Sequence, residues 1–330
     1  MMSDRPRWLQ LRRDGEPSWQ VAATAGGVSA TAVAAGALAL HQFGTPWQVF
    51  ILAAAASHYL MWAAPIGALC ALIARRWATS GVAATAVVLT VMVQAPTGAF
   101  PPYAGPIRPL VVLQANLGVG QADPDVLTAL VRDNDVDLLA TEELTPGEES
   151  ALIVAGLDDL LPHRYTAPLP GGGAGLGLWS RFPLGVRHNV PGYSYGVLTA
   201  HVAHGGGLTF VAAHLSPPFG QPVQTWRREI ADLRRLLADL PAAGPVVVAG
   251  DFNATVDHAQ FRALLTGGYA DAAQQTGAGY LPTYPDDRWW GPLIGIDHVL
   301  LRGAVAATGV TTHSIAGSDH RAVLAVLTFT

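Results

Sequence analysis

Three apolar stretches in the first hundred residues constrain the fold of this chain more than any other feature. Val21–Leu40, Val49–Ala74 and Ala78–Ala99 contain no Asp, Glu, Lys or Arg. Each is long enough, at about 1.5 Å per helical residue, to cross a hydrocarbon core about 30 Å thick. A signal peptide is the plainer reading of the first stretch, but no charged segment abuts a short apolar core and two more stretches follow. Three transmembrane helices are therefore expected in residues 1–104. Their small residues, including Gly26, Gly27 and Gly36, suit close helix packing in lipid.

Arginine placement sets an expected orientation. Arg5, Arg7, Arg12 and Arg13 precede the first stretch, and Arg75 and Arg76 separate the second from the third. The segment between the first and second has no Arg or Lys. Positive charge marks the cytoplasmic side, so the N-terminus is expected inside and everything after residue 100 outside. Phe100–Pro109 (FPPYAGPIRP) cannot continue a helix and reads as a stiff spacer leading to a second domain, residues 105–330. The single cysteine, Cys70, lies in an apolar run and permits no disulfide within the chain.

The second domain alternates apolar runs with helical segments. Leu110–Ala115, Asp137–Thr141, Leu176–Ser180, Val197–His201, Leu208–His214, Val246–Ala249, Ile296–Arg302 and Ala322–Phe329 read as strands. Pro124–Asn134 and Trp226–Leu240 read as helices. In the latter, Ile230, Leu233, Leu236, Leu237 and Leu240 form one apolar stripe opposed by Arg227, Arg228, Arg234 and Arg235. Many strands with few helices predict an α/β (α+β) architecture: two mixed sheets packed face to face and flanked by helices.

Several of these runs end in acids, amides and histidines. They are Asn116, Glu142–Glu143, His214, and Asp251 with Asn253 in VVVAGDFN. Asp297 and Asp319–His320 follow near the C-terminus. Strand ends hold side chains in place while leaving them open to loops, so such a cluster is a candidate site. Its chemistry suits hydrolysis of a phosphate ester. Carboxylates such as Glu143, Asp251 and Asp319 suit Mg²⁺, which prefers oxygen ligands. A histidine held by a carboxylate suits general acid–base work at His320. Asn116, Asn253 and His214 can donate to phosphate oxygens.

VAGDFN at 248–253, IDHVLL at 296–301 and SDH at 318–320 together resemble the endonuclease/exonuclease/phosphatase superfamily, with LQANLG at 113–118 and ATEEL at 140–144 as its first motifs. GLGLWSRFPL at 175–184 resembles its mid-domain strand. The resemblance implies a four-layer αββα sandwich and a metal-dependent phosphoesterase using Mg²⁺, with Mn²⁺ an alternative. It implies Glu143, Asp319 and Asn116 at the metal, and Asn116, Asn253, His214 and His320 on the phosphate. Asp251, His320, His214 and Asp297 are the implied catalytic set. Glu142 stands where the family usually has Gln, so either Glu142 or Glu143 could supply the ligand. Register with Asp137–Ala140 points to Glu143, and adjacent strand residues face opposite sides.

Charge bears on the substrate. From residue 106 onward, 13 Arg stand against 21 Asp and Glu, a net charge of −8 with His neutral. A duplex-DNA binder needs a basic face, so an extracytoplasmic nuclease is the second reading. Three helices followed by this domain resemble the teicoplanin-resistance membrane proteins of the VanJ type. That resemblance implies a lipid-linked polyprenyl phosphate, a pyrophosphate or another phospholipid head group as substrate, in a role tied to antibiotic resistance. A catalytically inactive binding module is the reading from another class, and no protein partner is inferable. Trp289 and Trp290 read equally as core or as residues that line the site or touch the lipid interface.

Overall fold

The computed structural model describes residues 16–95, 108–171, 173–241 and 244–329. The arginines expected to set orientation at 5–13, most of the 100–109 spacer, the 104/105 boundary and Gly172 lie outside these residues. The chain forms two compact units. One is Met1–Ala95 with Asp257–Ala259, and the other is Pro96–Val256 with Gln260–Thr330.

The first unit contains α1 (Ser18–Gln42), α2 (Gln48–Ala55), α3 (Ser57–Leu60), α4 (Ala63–Ile73) and α5 (Trp77–Gln94). Among the described residues two helices, α1 and α5, are individually long and apolar enough to cross a membrane, not three. The middle stretch breaks into Gln48–Ala55 and Ser57–Ile73, bent by 65°. The cause is local. Ala56 and Trp62 close tight i−3 bonds to Ala53 and Tyr59, both 3.1 Å. Beyond the bend, Pro65 has no N–H for the carbonyl of Met61, which accepts from Ala64 N–H at 3.1 Å and from the Thr90 hydroxyl at 3.4 Å. Close packing falls where small residues meet: a Cβ on Gly67 would lie 2.5 Å from Thr31 Oγ1, and one on Gly27 would lie 3.1 Å from Ala71 N. Gly36 makes no such approach.

The second unit is two six-stranded mixed sheets with flanking helices. Its strands are β1 (Leu110–Asn116), β2 (Leu138–Glu142), β3 (His163–Ala167), β4 (Leu176–Ser180), β5 (Leu184–Val190) and β6 (Gly196–Val202). They continue as β7 (Leu208–His214), β8 (Val246–Asp251), β9 (Tyr269–Asp271), β10 (Asp297–Arg302), β11 (Val305–Ser314) and β12 (Arg321–Phe329). The orders are β11-β12-β1-β2-β4-β3 and β5-β6-β7-β8-β10-β9. All eight expected strands form. The four unexpected ones, β3, β5, β9 and β11, are the four sheet edges. An edge strand half open to water carries no continuous apolar run, and β5 is exposed along most of its length.

Between the sheets lies a dry core built on alternate residues. Leu110 and Val112 of β1 face inward with Leu138 and Ala140 of β2. From the other sheet come Phe210 and Ala212 of β7, Val247 and Ala249 of β8, and Val299 and Leu301 of β10. The outer face of the first sheet packs on α6 (Pro124–Asp133), α7 (Pro146–Val154) and α8 (Leu157–Leu160) through Leu113, Leu127, Val131, Leu139, Leu152 and Trp179. Helix α9 (Val223–Asp239) buries Trp226, Ile230, Leu233 and Leu237.

Candidate active site

The inward-facing rows do not stay apolar. Two residues on from Val112 comes Gln114, and then Asn116; two on from Ala140 comes Glu142. Ala212 is followed by His214 and Ala249 by Asp251, while Val299 is preceded by Asp297, each at the alternate position. Strand register brings these positions side by side. Asn116 pairs with Glu142 across parallel β1 and β2. His214 pairs with Asp251 across parallel β7 and β8, and Asp297 pairs with Asp251 across β10 and β8. One end of the inter-sheet core is therefore polar, and all six of these side chains are buried.

Asp297 is the most heavily bonded of them. Its Oδ1 accepts from Gln114 Nε2 at 2.8 Å. Its Oδ2 accepts from Thr283 Oγ1 at 2.6 Å and lies 2.9 Å from His320 Nδ1. Burial alone would raise the Asp297 pKa, but the His320 charge and these bonds hold it below the usual carboxylate range. Burial alone would lower His320, but Asp297, then Asp251 and Asp319, push it up to about 10. The pair is an imidazolium held by a carboxylate.

Asp251 faces that imidazolium, with Oδ2 3.9 Å from His320 Nε2. The same oxygen accepts from Asn116 Nδ2 at 3.2 Å and lies 3.5 Å from His214 Nε2. Oδ1 accepts from the Asn253 backbone N–H at 2.8 Å. Burial, then the nearby Asp297 charge, raises Asp251 to about 8. His214 is pushed down to about 3 by burial and by the His320 charge, so it is neutral at pH 7. Asn253 adopts a left-handed backbone (φ 48°), and its side-chain N–H donates to Leu215 O at 2.9 Å.

The two glutamates separate. Glu142 continues the inward row, fully buried, accepting from Gln114 Nε2 at 2.8 Å. Burial first and the Asp297 charge second raise its pKa well above the usual value, which favours the protonated form. Glu143 lies just past the strand with φ 58°, and its Oε2 accepts from Val119 N–H at 2.6 Å. Burial raises the Glu143 pKa, and repulsion from Asp319 contributes. Asp319 sits half-buried between Ser318 and His320. The Ser318 hydroxyl donates to Asn116 O at 2.7 Å and accepts from His320 N–H at 3.0 Å, which stitches the loop before β12 to the end of β1.

Several contributors had weak sequence signals. Gln114 was legible in principle, since it lies two residues before Asn116 on the same face. Thr283 lies in a long loop without regular pattern. Tyr195 packs its ring 4.6 Å from that of His214, and Tyr284 lies 4.9 Å from His320. Glu229 of α9 accepts from Ser194 N–H and Ser216 N–H, both at 2.8 Å, and so ties down the loops beside Tyr195 and His214.

The donor set fits a hard divalent cation. Asp251, Asp297 and His320 each offer a ligand atom within 4.8 Å of the others. Both oxygens of Asp297 are already engaged, however, so that trio reads better as an acid–base set. The stronger indication is charge. Glu143, Asp251, Asp297 and Asp319 converge with one imidazolium among them. Such an excess of carboxylate suits oxygen-ligated Mg²⁺ or Mn²⁺ far better than a thiolate-seeking metal.

Residues 113–320 match the model of the Endonuclease/Exonuclease/phosphatase family. This chain belongs to that family, whose hydrolases are metal-dependent phosphoesterases. Solved structures share the fold. D. rerio TDP2 complexed with a single-strand DNA product superposes with a TM-score of 0.57 at 17% identity, covering 67% of this chain and 100% of that one. An endonuclease/exonuclease/phosphatase from Beutenbergia cavernae gives 0.55 at 23% identity, covering 68% and 72%. A mannosyl-6-phosphatase from Bacteroides thetaiotaomicron gives 0.52 at 16%, covering 67% and 100%. No curated protein matches the chain.

Proposed function

We propose that this enzyme hydrolyses a lipid-linked phosphoester, a polyprenyl phosphate or pyrophosphate or another phospholipid head group, at the outer face of a cell membrane. For the chemistry, the supporting observation is the Asp297-held His320 facing Asp251 at the polar end of the core. For the substrate it is two helices of membrane-spanning length in the same chain as an acidic catalytic unit. The resemblance to teicoplanin-resistance membrane proteins fits this reading and suggests a role in antibiotic resistance.

Each side chain takes a role from its surroundings. Asp251, with a pKa near neutrality, orients the attacking water and receives its proton. His320 stays protonated through the physiological range and places positive charge on the phosphate oxygens. Neutral His214, Asn116 and Asn253 complete the phosphate contacts. Glu143, Asp319 and Asn116 would hold Mg²⁺, which would offset charge on the transferring phosphoryl group. Glu143 is preferred to Glu142 as the ligand because Glu142 stays on the fully buried inward row, bonded to Gln114.

Purified full-length protein should be offered undecaprenyl pyrophosphate and plasmid DNA side by side with Mg²⁺. Phosphate release from the lipid, lost in Asp251→Ala and His320→Ala, is the expected result. Cleavage of DNA alone would overturn the substrate class. For orientation, a C-terminal alkaline phosphatase fusion should be active in cells, and an inactive fusion would place the domain inside.

A further inference from the structure

Most large apolar side chains of the catalytic unit are buried; of the exposed ones, Val126, Val154 and Val186 lie on α6, α7 and β5, and the others gather at one end. Val119 (after β1), Leu169 (between β3 and β4), Phe219 (after β7), and Trp289 and Trp290 (before β10) are all exposed. Each lies in a loop at the strand ends that carry Asn116, Glu142, His214, Asp251 and Asp297. Strand direction explains the grouping. The first and third loops leave the C-terminal ends of β1 and β7, the second joins β3 to β4, which runs antiparallel to β2, and the fourth enters β10, antiparallel to β8.

The tryptophans stand out most. Trp289 is 92% exposed and Trp290 51%, and their rings meet edge-on at 5.4 Å. The loop is not loosely hung: Gly291 N–H closes a turn onto Arg288 O at 2.9 Å, and Asp286 N–H donates to Asp319 O at 2.7 Å. Two indoles held in water by an ordered loop are unfavourable unless something covers them.

We propose that this aromatic rim is a lipid-docking surface, with Trp289 and Trp290 seated among the head groups and upper acyl chains of a bilayer. Three observations favour lipid over a protein partner. Indole combines a broad apolar face with one N–H, which suits the membrane–water boundary. The apolar groups are spread over four separate loops at the strand ends that carry the site. The chain also carries two helices of membrane-spanning length, so a bilayer is present wherever those helices insert. Docked this way, the site mouth would meet a phosphoester at head-group depth without pulling its hydrocarbon tail into water. The inference deepens the lipid-phosphoester reading and rests on it for its role in turnover, though not for the contact itself.

The test uses full-length protein reconstituted in phosphatidylcholine vesicles, some with lipids brominated near the glycerol. Bromine quenches nearby indole fluorescence. Trp289→Phe/Trp290→Phe removes two of nine tryptophans. The expected result is a clear drop in the bromine-quenched share of emission relative to wild type. A quenched share that stays equal or rises would overturn the proposal. If the same substitution instead dissolves self-association of the detergent-solubilised chain, the rim belongs to a second copy and the lipid assignment falls. Turnover separates this from the proposed function. Trp289→Ala/Trp290→Ala should cut hydrolysis of a vesicle-borne phosphoester at least tenfold while sparing a soluble aryl phosphoester. Quenching without any lipid turnover would leave the docking surface standing and remove the lipid substrate.

Discussion

His320 Nδ1 lies 2.9 Å from Asp297 Oδ2, and the second Asp297 oxygen is held by Gln114. The imidazole is thereby fixed in orientation and in charge, with its Nε2 turned toward Asp251. Asp297→Asn keeps the shape and removes the charge. The His320 pKa should fall from about 10 toward its ordinary value. The expected outcome is a loss of about 10²-fold or more in kcat with little change in KM. A pH–rate profile checks it, since the variant should lose activity on the alkaline side earlier than the parent.

Gln114 separates two buried carboxyl groups, donating to Glu142 and Asp297 from one amide nitrogen. Gln114→Leu leaves both acceptors without that donor. A cost of about 1–3 kcal/mol is expected from the unmet polar groups. Thermal unfolding should show it, and Gln114→Glu should be no better, because it adds a third carboxyl to the same place.

Metal removal should abolish turnover, and Mg²⁺ should restore it. Metal bound only to the folded state raises the unfolding temperature, by about 2.7 kcal/mol of stability at a hundredfold excess over Kd. Glu143→Ala and Asp319→Ala should remove that shift while leaving the metal-free melting temperature close to the parent's. A full shift in both variants would send the metal assignment elsewhere.

Glu148, in the first turn of α7, is buried near Asp123, and burial first and that charge second raise its pKa to about 7. A raised carboxyl binds a proton in the folded state that the unfolded chain releases. Its contribution is fully present below the usual 4.5 and is lost as pH rises through about 7. Glu148→Gln should therefore raise the melting temperature at pH 8 and have no such effect at pH 4. Because part of the group is solvated, about 1 kcal/mol is expected at the alkaline end.

Much of the site was legible before any coordinates. The strand-end residues Asn116, His214, Asp251 and Asp297 stand out because a polar group at the end of an apolar run breaks a pattern. The edge strands β3, β5, β9 and β11 were not legible: β3, β5 and β11 are partly open to solvent and lack that pattern, and β9 has only 3 residues. The break in the expected middle membrane span was not legible for a related reason. Composition reports how apolar a segment is, whereas the 65° bend falls at Ala56, where the ladder tightens to an i−3 bond onto Ala53.

Sequence alone determined the family and the reaction class, because ordered short motifs depend only on which residues stand where. It also determined that two sheets would pack, since alternation is a local property. Only the tertiary structure separated the two glutamates. Glu142 stays on the inward row and is buried against Gln114, while a left-handed turn at Glu143 carries the next carboxylate out of the strand. Only the tertiary structure, too, gathered Val119, Leu169, Phe219, Trp289 and Trp290 around one mouth. They are scattered along the chain, and strand direction, not sequence proximity, makes them neighbours.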